Sequence, residues 1–296
     1  MTSFTTNSAN KMVQKFQLFL NDLHEFRRIH IAHGPAVHSL AASEKALFAD
    51  PERLMTVYSQ GIVLLELTED HAESFIRCVA EPALSFAVWT NVRTVLESSA
   101  LAAWLLDEHI SVKERVQRSL AFRYEGLEQQ RKLLNSIGRH KERDGLMQRI
   151  DSIEQSAVSL GYSSVVDKNQ KRIGIGQVMP PITEIIRDVL DEETTYRILS
   201  GVAHGHSWAL TQLGMQVLDT QNCTAWDAID ANTKSVQKHL RPEGVGYLCA
   251  IVATAYTKAL WHTAHLFDWN PNHLEGILER NFDRMNLTEA VRHWRK

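Results

Sequence analysis

Across residues 84–107 apolar side chains occupy nearly the whole circumference of a helix, with Phe86, Trp89, Val92, Leu96, Leu101, Trp104 and Leu105 spread around it. A helix that is apolar all round has no face to offer water and has to be enclosed by other helices. This segment therefore predicts a multi-helix bundle with residues 84–107 near its centre. Two charges interrupt it. Arg93 and Glu97 stand four apart, so they share one face. Charges on so apolar a helix are rare unless paired or functional. They read either as a buried ion pair that sets helix register or as groups that reach Arg197 or His204 and orient a site.

The rest of the chain supplies the enclosing helices. Val13, Phe16, Leu20, Leu23 and Phe26 keep three-and-four spacing over residues 11–31. A short helix follows over 37–48, and Pro51 opens a long one that runs over 52–80 until Pro82 ends it. Ser111 with Glu114 has the form of a capping box, which starts a helix reaching residue 136. Residues 139–160 form its antiparallel partner. Further helices are expected over 182–190, 193–218 and 244–267, with shorter pieces over 225–240 and 272–285; inside the second, Gly201 and Gly205 either allow close helix contact or end it near His204. Periodicity lapses over 161–181, the longest loop, where Gly174, Gly176 and Pro180-Pro181 cluster.

Only 14 glycines and 7 prolines occur among 296 residues, too few turn residues for a β-sandwich or barrel, and no segment sustains strand alternation. No repeat of fixed period marks a solenoid. The expected organisation is a polar tail over residues 1–10 followed by a single all-α domain over 11–296.

A formal charge of -3 and a pI near 6.5 exclude a uniformly basic nucleic-acid coat. The charge is unevenly distributed, however. Residues 44–81 hold eight acidic and three basic residues, whereas 111–149 hold ten Lys or Arg and five acids. The run Arg115, Arg118, Arg123, Arg131, Lys132, Arg139, Lys141, Arg143 and Arg149 is either a solvated helical face or a surface for phosphates. Cys78, Cys223 and Cys249 lie far apart, without the spacing of a disulfide framework or a cysteine zinc site. The polar N-terminus carries no apolar signal core. No window reaches the roughly 20 apolar residues of a membrane span. A cytoplasmic protein without membrane attachment is expected.

The segment Tyr196-Arg-Ile-Leu-Ser-Gly-Val-Ala-His204-Gly-His206 is the most unusual in the chain. At about 3.6 residues per turn, Arg197 and His204 fall on one face with Ser200 between them. A guanidinium, a hydroxyl and an imidazole on one face suit phosphodiester cleavage. The imidazole can move the 2′-hydroxyl or leaving-group proton, and the guanidinium can hold the phosphate oxygens as charge develops. That reaction requires no metal.

In its Arg197 and His204 with six residues between, the chain resembles the HEPN (higher-eukaryote-and-prokaryote nucleotide-binding) superfamily. It is similar more widely to bacterial helical proteins with a Tyr-x-x-Leu-Ser-x-x-x-His element after a proline-led helix. Tyr196, Leu199, Ser200 and His204 match that element after Pro180-Pro181, and Arg93 and Glu97 match an earlier Arg-x-x-x-Glu. The likeness covers residues 84–213. It implies a HEPN-like four-helix core over about 84–218 with a packing helix over 244–268, and additional N- and C-terminal helices. It also implies a homodimer that pairs two motifs, and a metal-independent endoribonuclease of a toxin or phage-defence type. Its partners would be RNA and an antitoxin or other protein. Arg197 and His204 would be catalytic, with Tyr196, Ser200, His206, Arg93 and Glu97 in support. Ile198 departs from the pattern, because active members place Asn, Asp or His directly after the arginine.

A second reading remains open, in which this is a non-catalytic interaction or ligand-binding protein. Arg197 would then pair with Glu97 or Glu193, and His204 would be a satisfied structural histidine. Fourteen histidines include the pairs His30 with His33 and His262 with His265, yet Glu-x-x-His and His-Glu-x-x-His are both absent, so no metal or other cofactor is expected. Gly174-Ile-Gly176 lacks the third glycine of a dinucleotide fingerprint, and Ser200 lacks the flanking glycines of a nucleophile elbow.

Overall fold

The computed structural model describes residues 6–80, 84, 86–213, 215–217, 236–238 and 242–285. In chain order the described elements are α1 (Thr6–Ile31), α2 (Leu40–Leu47), α3 (Pro51–Val79), α4 (Ala87–Leu106), α5 (Val112–Ser136) and α6 (His140–Ser159). Then come β1 (Ser164–Val166), β2 (Arg172–Ile175), α7 (Ile182–Leu190), α8 (Glu193–Ala203) and α9 (Ser207–Leu213). The last are β3 (Met215–Val217), β4 (Val236–Lys238), α10 (Pro242–Phe267) and α11 (Pro271–Met285). The chain is an all-α, multi-helix bundle, as its periodicity predicts. Among the described residues no helix is long and apolar enough to cross a membrane.

The all-round apolar segment becomes α4, and it lies where its composition requires. It packs most extensively against α3 and α10, and also against α5, α7 and α8. Val88, Val92, Leu96, Leu105 and Leu106 on it are fully buried. One continuous apolar cluster runs through the helices from Phe16 to Met285. At roughly 1.5–3 kcal/mol for each large apolar side chain removed from water, this cluster is the main stabilising contribution.

Polar groups set where the helices start and how they register. Ser39 caps α2 by accepting from the Ala42 amide, Asp50 caps α3 from Arg53, and Ser111 caps α5 from Glu114. Each such cap contributes about 1 kcal/mol. Arg115 of α5 is fully buried. It donates to both Glu44 carboxylate oxygens and to the carbonyls of Leu105, Asp107 and Ile110 at the end of α4. Tyr58 of α3 donates to the same carboxylate at 2.7 Å. Burial first, and then that hydrogen bond, push the Tyr58 phenol up from its ordinary value. One guanidinium thus joins α2, α4 and α5 and satisfies carbonyls that a helix end leaves open.

Four expectations are corrected. Helix α1 opens at Thr6, so part of the expected polar tail is helical. The 161–181 loop contains the antiparallel hairpin β1–β2, with Ser164 opposite Ile175 and a register shift at Val165/Val166. This hairpin is fastened to α5 by hydrogen bonds from Tyr124 to the Arg172 carbonyl and from Gln117 to the Gly176 carbonyl. Arg172 also pairs with Asp151 and Glu154 of α6. Third, the helix expected over 193–218 is two helices, α8 and α9, followed by β3. Fourth, within the helix expected over 225–240, residues 236–238 form strand β4, which pairs antiparallel with β3. The remainder of that stretch lies outside the described residues, as do Cys223, Trp226 and Trp294.

Candidate functional site

Helix α8 turns one face to the interior and the other to solvent. Thr195, Tyr196, Leu199 and Val202 are buried, while Glu193, Arg197, Ser200 and His204 recur at helical spacing along the outer face. Its end is defined by two glycines. The amide of His206 bonds the Gly201 carbonyl at 2.9 Å and that of Gly205 bonds Val202 at 3.0 Å. This 6→1 and 5→2 pair is a Schellman cap. Gly205 occupies the left-handed region at φ 70° that the cap requires. Gly201 meets a different demand, because a Cβ there would lie 2.8 Å from the Ala209 Cβ and from the Trp208 ring. Helix α9 can fold back against α8 only where that side chain is missing.

The cap fixes where the histidines stand. His204 is the capping residue, His206 is the second residue beyond it, and both are exposed. Their ring centroids are 6.1 Å apart, with the planes tilted by 54°. Arg197 has a side chain 66% exposed and pairs with Glu193 one turn earlier, Nε at 2.8 Å and Nη2 at 2.7 Å from the carboxylate. Half-buried Ser200 lies between Arg197 and His204 on that face. The structure thus puts Arg197, Ser200 and His204 along one outward face of α8 with His206 just past its end, and of the acids expected beside Arg197 it supplies Glu193.

Of the two readings of Arg93 and Glu97 the ion pair holds, and among the described contacts Glu97 reaches neither Arg197 nor His204. It accepts a hydrogen bond from the Tyr196 hydroxyl at 2.8 Å and pairs with Arg93 at 3.0 Å. The Arg93 guanidinium carbon lies 5.6 Å from the Tyr196 ring centroid, and its Nη2 is 3.5 Å from the hydroxyl. Burial opposes charge on Arg93, but the Tyr196 hydroxyl and the Glu97 carboxylate outweigh it and hold the guanidinium above its ordinary value. Burial is also the largest cause of a raised Tyr196 phenol. The two motifs are therefore joined through Tyr196, the neighbour of Arg197, and the group clamps α8 onto α4. Tyr196 was named in the sequence as support; its partner is separated from it by 99 residues, which spacing could not indicate.

The basic run over 111–149 divides. Arg115 is buried against Glu44, while Arg118, Arg131, Arg139 and Arg143 pair with Glu114, Glu128, Glu142 and Asp144. Arg123 and Arg149 have no carboxylate within ion-pair distance among the described residues.

The histidine pairs of the sequence do not converge on common centres. His30 stacks on Trp269, and the His33 ring bonds the Ile29 carbonyl. His262 instead meets Glu108 at 2.5 Å and Asp107 at 3.8 Å, a grouping that sequence spacing missed because the acids lie on the turn after α4. His24, Glu69 and Glu73 form a second His/carboxylate grouping. Its Glu69 is held by Arg27 and by the Tyr256 hydroxyl. Both groupings are accounted for by contacts that tie helices together. No protein-family model matches the chain, and neither do any curated protein or solved structure.

Proposed function

We propose that the end of α8 is a metal-independent, RNA-cleaving site in a HEPN-like protein. The observation that carries this reading is the pair of exposed imidazoles, His204 and His206, 6.1 Å apart on the rim that also bears Arg197. One imidazole removes the 2′-hydroxyl proton as that oxygen attacks the adjacent phosphorus. The other gives a proton to the departing 5′-oxygen, leaving a 2′,3′-cyclic phosphate. Arg197 exchanges Glu193 for the phosphate oxygens, where its planar fork meets the developing charge. Tyr196, held by Glu97 and Arg93, keeps α8 in place while these groups act. A homodimer would bring two such rims together, and a cytoplasmic toxin or defence role follows from the family likeness.

Purified protein is expected to cleave single-stranded RNA in the presence of EDTA. His204→Ala should slow cleavage by about 10²–10⁴-fold, and Arg197→Ala by about 10²–10³-fold. RNA that stays intact with the wild type, and variants that behave alike in every assay, would sink the reading. A second reading would then stand, that of a non-catalytic interaction protein. Its support is the Glu193 carboxylate already occupying Arg197, together with Ile198 in place of a polar residue.

A further inference from the structure

Arg53 of α3, Arg123 of α5 and Arg149 of α6 have no carboxylate within ion-pair distance among the described residues. Arg53 of α3 donates from Nη2 to Ser156 Oγ of α6 at 2.7 Å, and its Nε is shielded from solvent with no hydrogen-bond partner among the described residues. Two turns further along α3, Gln60 accepts from Ser119 of α5 at 2.5 Å. Seven residues separate Arg53 from Gln60 and four separate Ser119 from Arg123, so each pair shares a helical face. The short turn between α5 and α6, closed by the Arg139 amide on the Leu134 carbonyl at 3.0 Å, sends α6 back along α5. At that register Arg123 falls opposite the middle of the stretch from Arg149 to Ser156. Arg149 and Ser156 are themselves seven apart and share a face of α6.

Of the nearest acids, exposed Glu52 lies about 100° around α3 from Arg53, and most of the others are engaged elsewhere. Asp151 and Glu154 pair with Arg172 on the other side of α6, Glu128 pairs with Arg131, and Asp50 caps α3. Glu125 lies about 200° around α5 from Arg123. Like charges held together without a counter-ion repel, so the cluster is incomplete by itself. Consistent with this, burial and then the charges of Arg53 and Arg149 lower the basicity of half-buried Arg123.

We propose that Arg53, Arg123 and Arg149, with Ser156, form a binding site for a phosphate group. Guanidinium forks match phosphate oxygens, and Ser156, whose oxygen is occupied by Arg53, keeps its hydroxyl proton to donate. The phosphate could belong to a nucleic-acid backbone or to a small phosphorylated molecule. This proposal does not depend on the activity assigned to Arg197 and His204.

Two probes decide it, applied to the full chain and to Arg123→Gln, Arg149→Gln and the control Arg143→Gln, whose arginine already has Asp144. Thermal melting is followed in inorganic phosphate against chloride at matched ionic strength. Fluorescence anisotropy of a labelled single-stranded RNA is measured in the His204→Ala background, so that the RNA persists. Phosphate should raise Tm in the wild type and the control, with about tenfold weaker apparent affinity in the other two variants. A backbone phosphate additionally predicts about tenfold weaker RNA binding in those variants and a salt slope smaller by about one. A small phosphorylated ligand predicts phosphate protection with RNA affinity unchanged. Because Arg149 is exposed, Arg149→Gln should fold even if Arg123→Gln does not. If neither probe separates Arg149→Gln from Arg143→Gln, the site does not exist.

Discussion

Arg115 and Arg197 are both arginines paired with a glutamate, and they could hardly be more differently placed. Arg115 has no exposed side-chain surface and touches Glu44 and three carbonyls; Arg197 is 66% exposed and among the described residues pairs with Glu193 alone. A guanidinium as fully buried and as fully paired as that of Arg115 has no donor left for a ligand, so its part is structural. An exposed one held by a single flexible partner can trade that partner for a ligand at little cost. The contrast separates an arginine that builds the bundle from one available for chemistry. Between them lie two intermediate cases, His262 with Glu108 and Arg93 with Glu97.

This ordering can be broken by measurement. Arg115→Ala leaves the Glu44 carboxylate buried without its main partner and should lower unfolding free energy by about 3–5 kcal/mol in urea titrations. A loss below about 1 kcal/mol there would collapse the distinction. Glu108→Gln, which weakens the bond to His262, should cost about 1.5–3 kcal/mol near pH 7. Burial raises the Glu108 carboxyl, but the hydrogen bond and charge of His262 together outweigh it and hold the carboxyl below its ordinary value. Its contribution is therefore complete above the ordinary carboxylate range and fades as pH falls below about 4.3 toward the folded value. The gap between wild type and Glu108→Gln should accordingly narrow on acidification; a constant gap would contradict the assignment. Tyr196→Phe removes one hydrogen bond to Glu97 and should cost about 1 kcal/mol. Arg197→Ala should change stability by less than about 0.5 kcal/mol, even as RNA cleavage falls. A large destabilisation there would move Arg197 to the structural side of the comparison.

Much of the fold was legible in the sequence because helix ends are written locally. Ser111 with Glu114 and Pro51 after Asp50 mark starts that the structure places within a residue or two. Gly201 and Gly205 pointed to close helix contact or to a helix end near His204; both hold, Gly201 permitting contact with α9 and Gly205 the left-handed turn, a division their like appearance in sequence left open. Hairpin β1–β2 escaped notice because strands of three and four residues are too short to display alternation. Arg197, Ser200 and His204 could be grouped because a single helix presents them. Glu97 with Tyr196, and Arg53 with Arg123 and Arg149, could not, because each grouping depends on how separate helices pack.

The long-range partners also impose an order in time. Glu44 is synthesised 71 residues before Arg115, and Glu69 precedes Tyr256 by 187. At roughly 5–20 residues per second, the second interval is roughly 10–40 s on the ribosome. Throughout that interval the acid-rich early helices emerge ahead of side chains that will later bind them. The native packing of the acid-rich stretch over 44–81 is thus completed only by helices that arrive later.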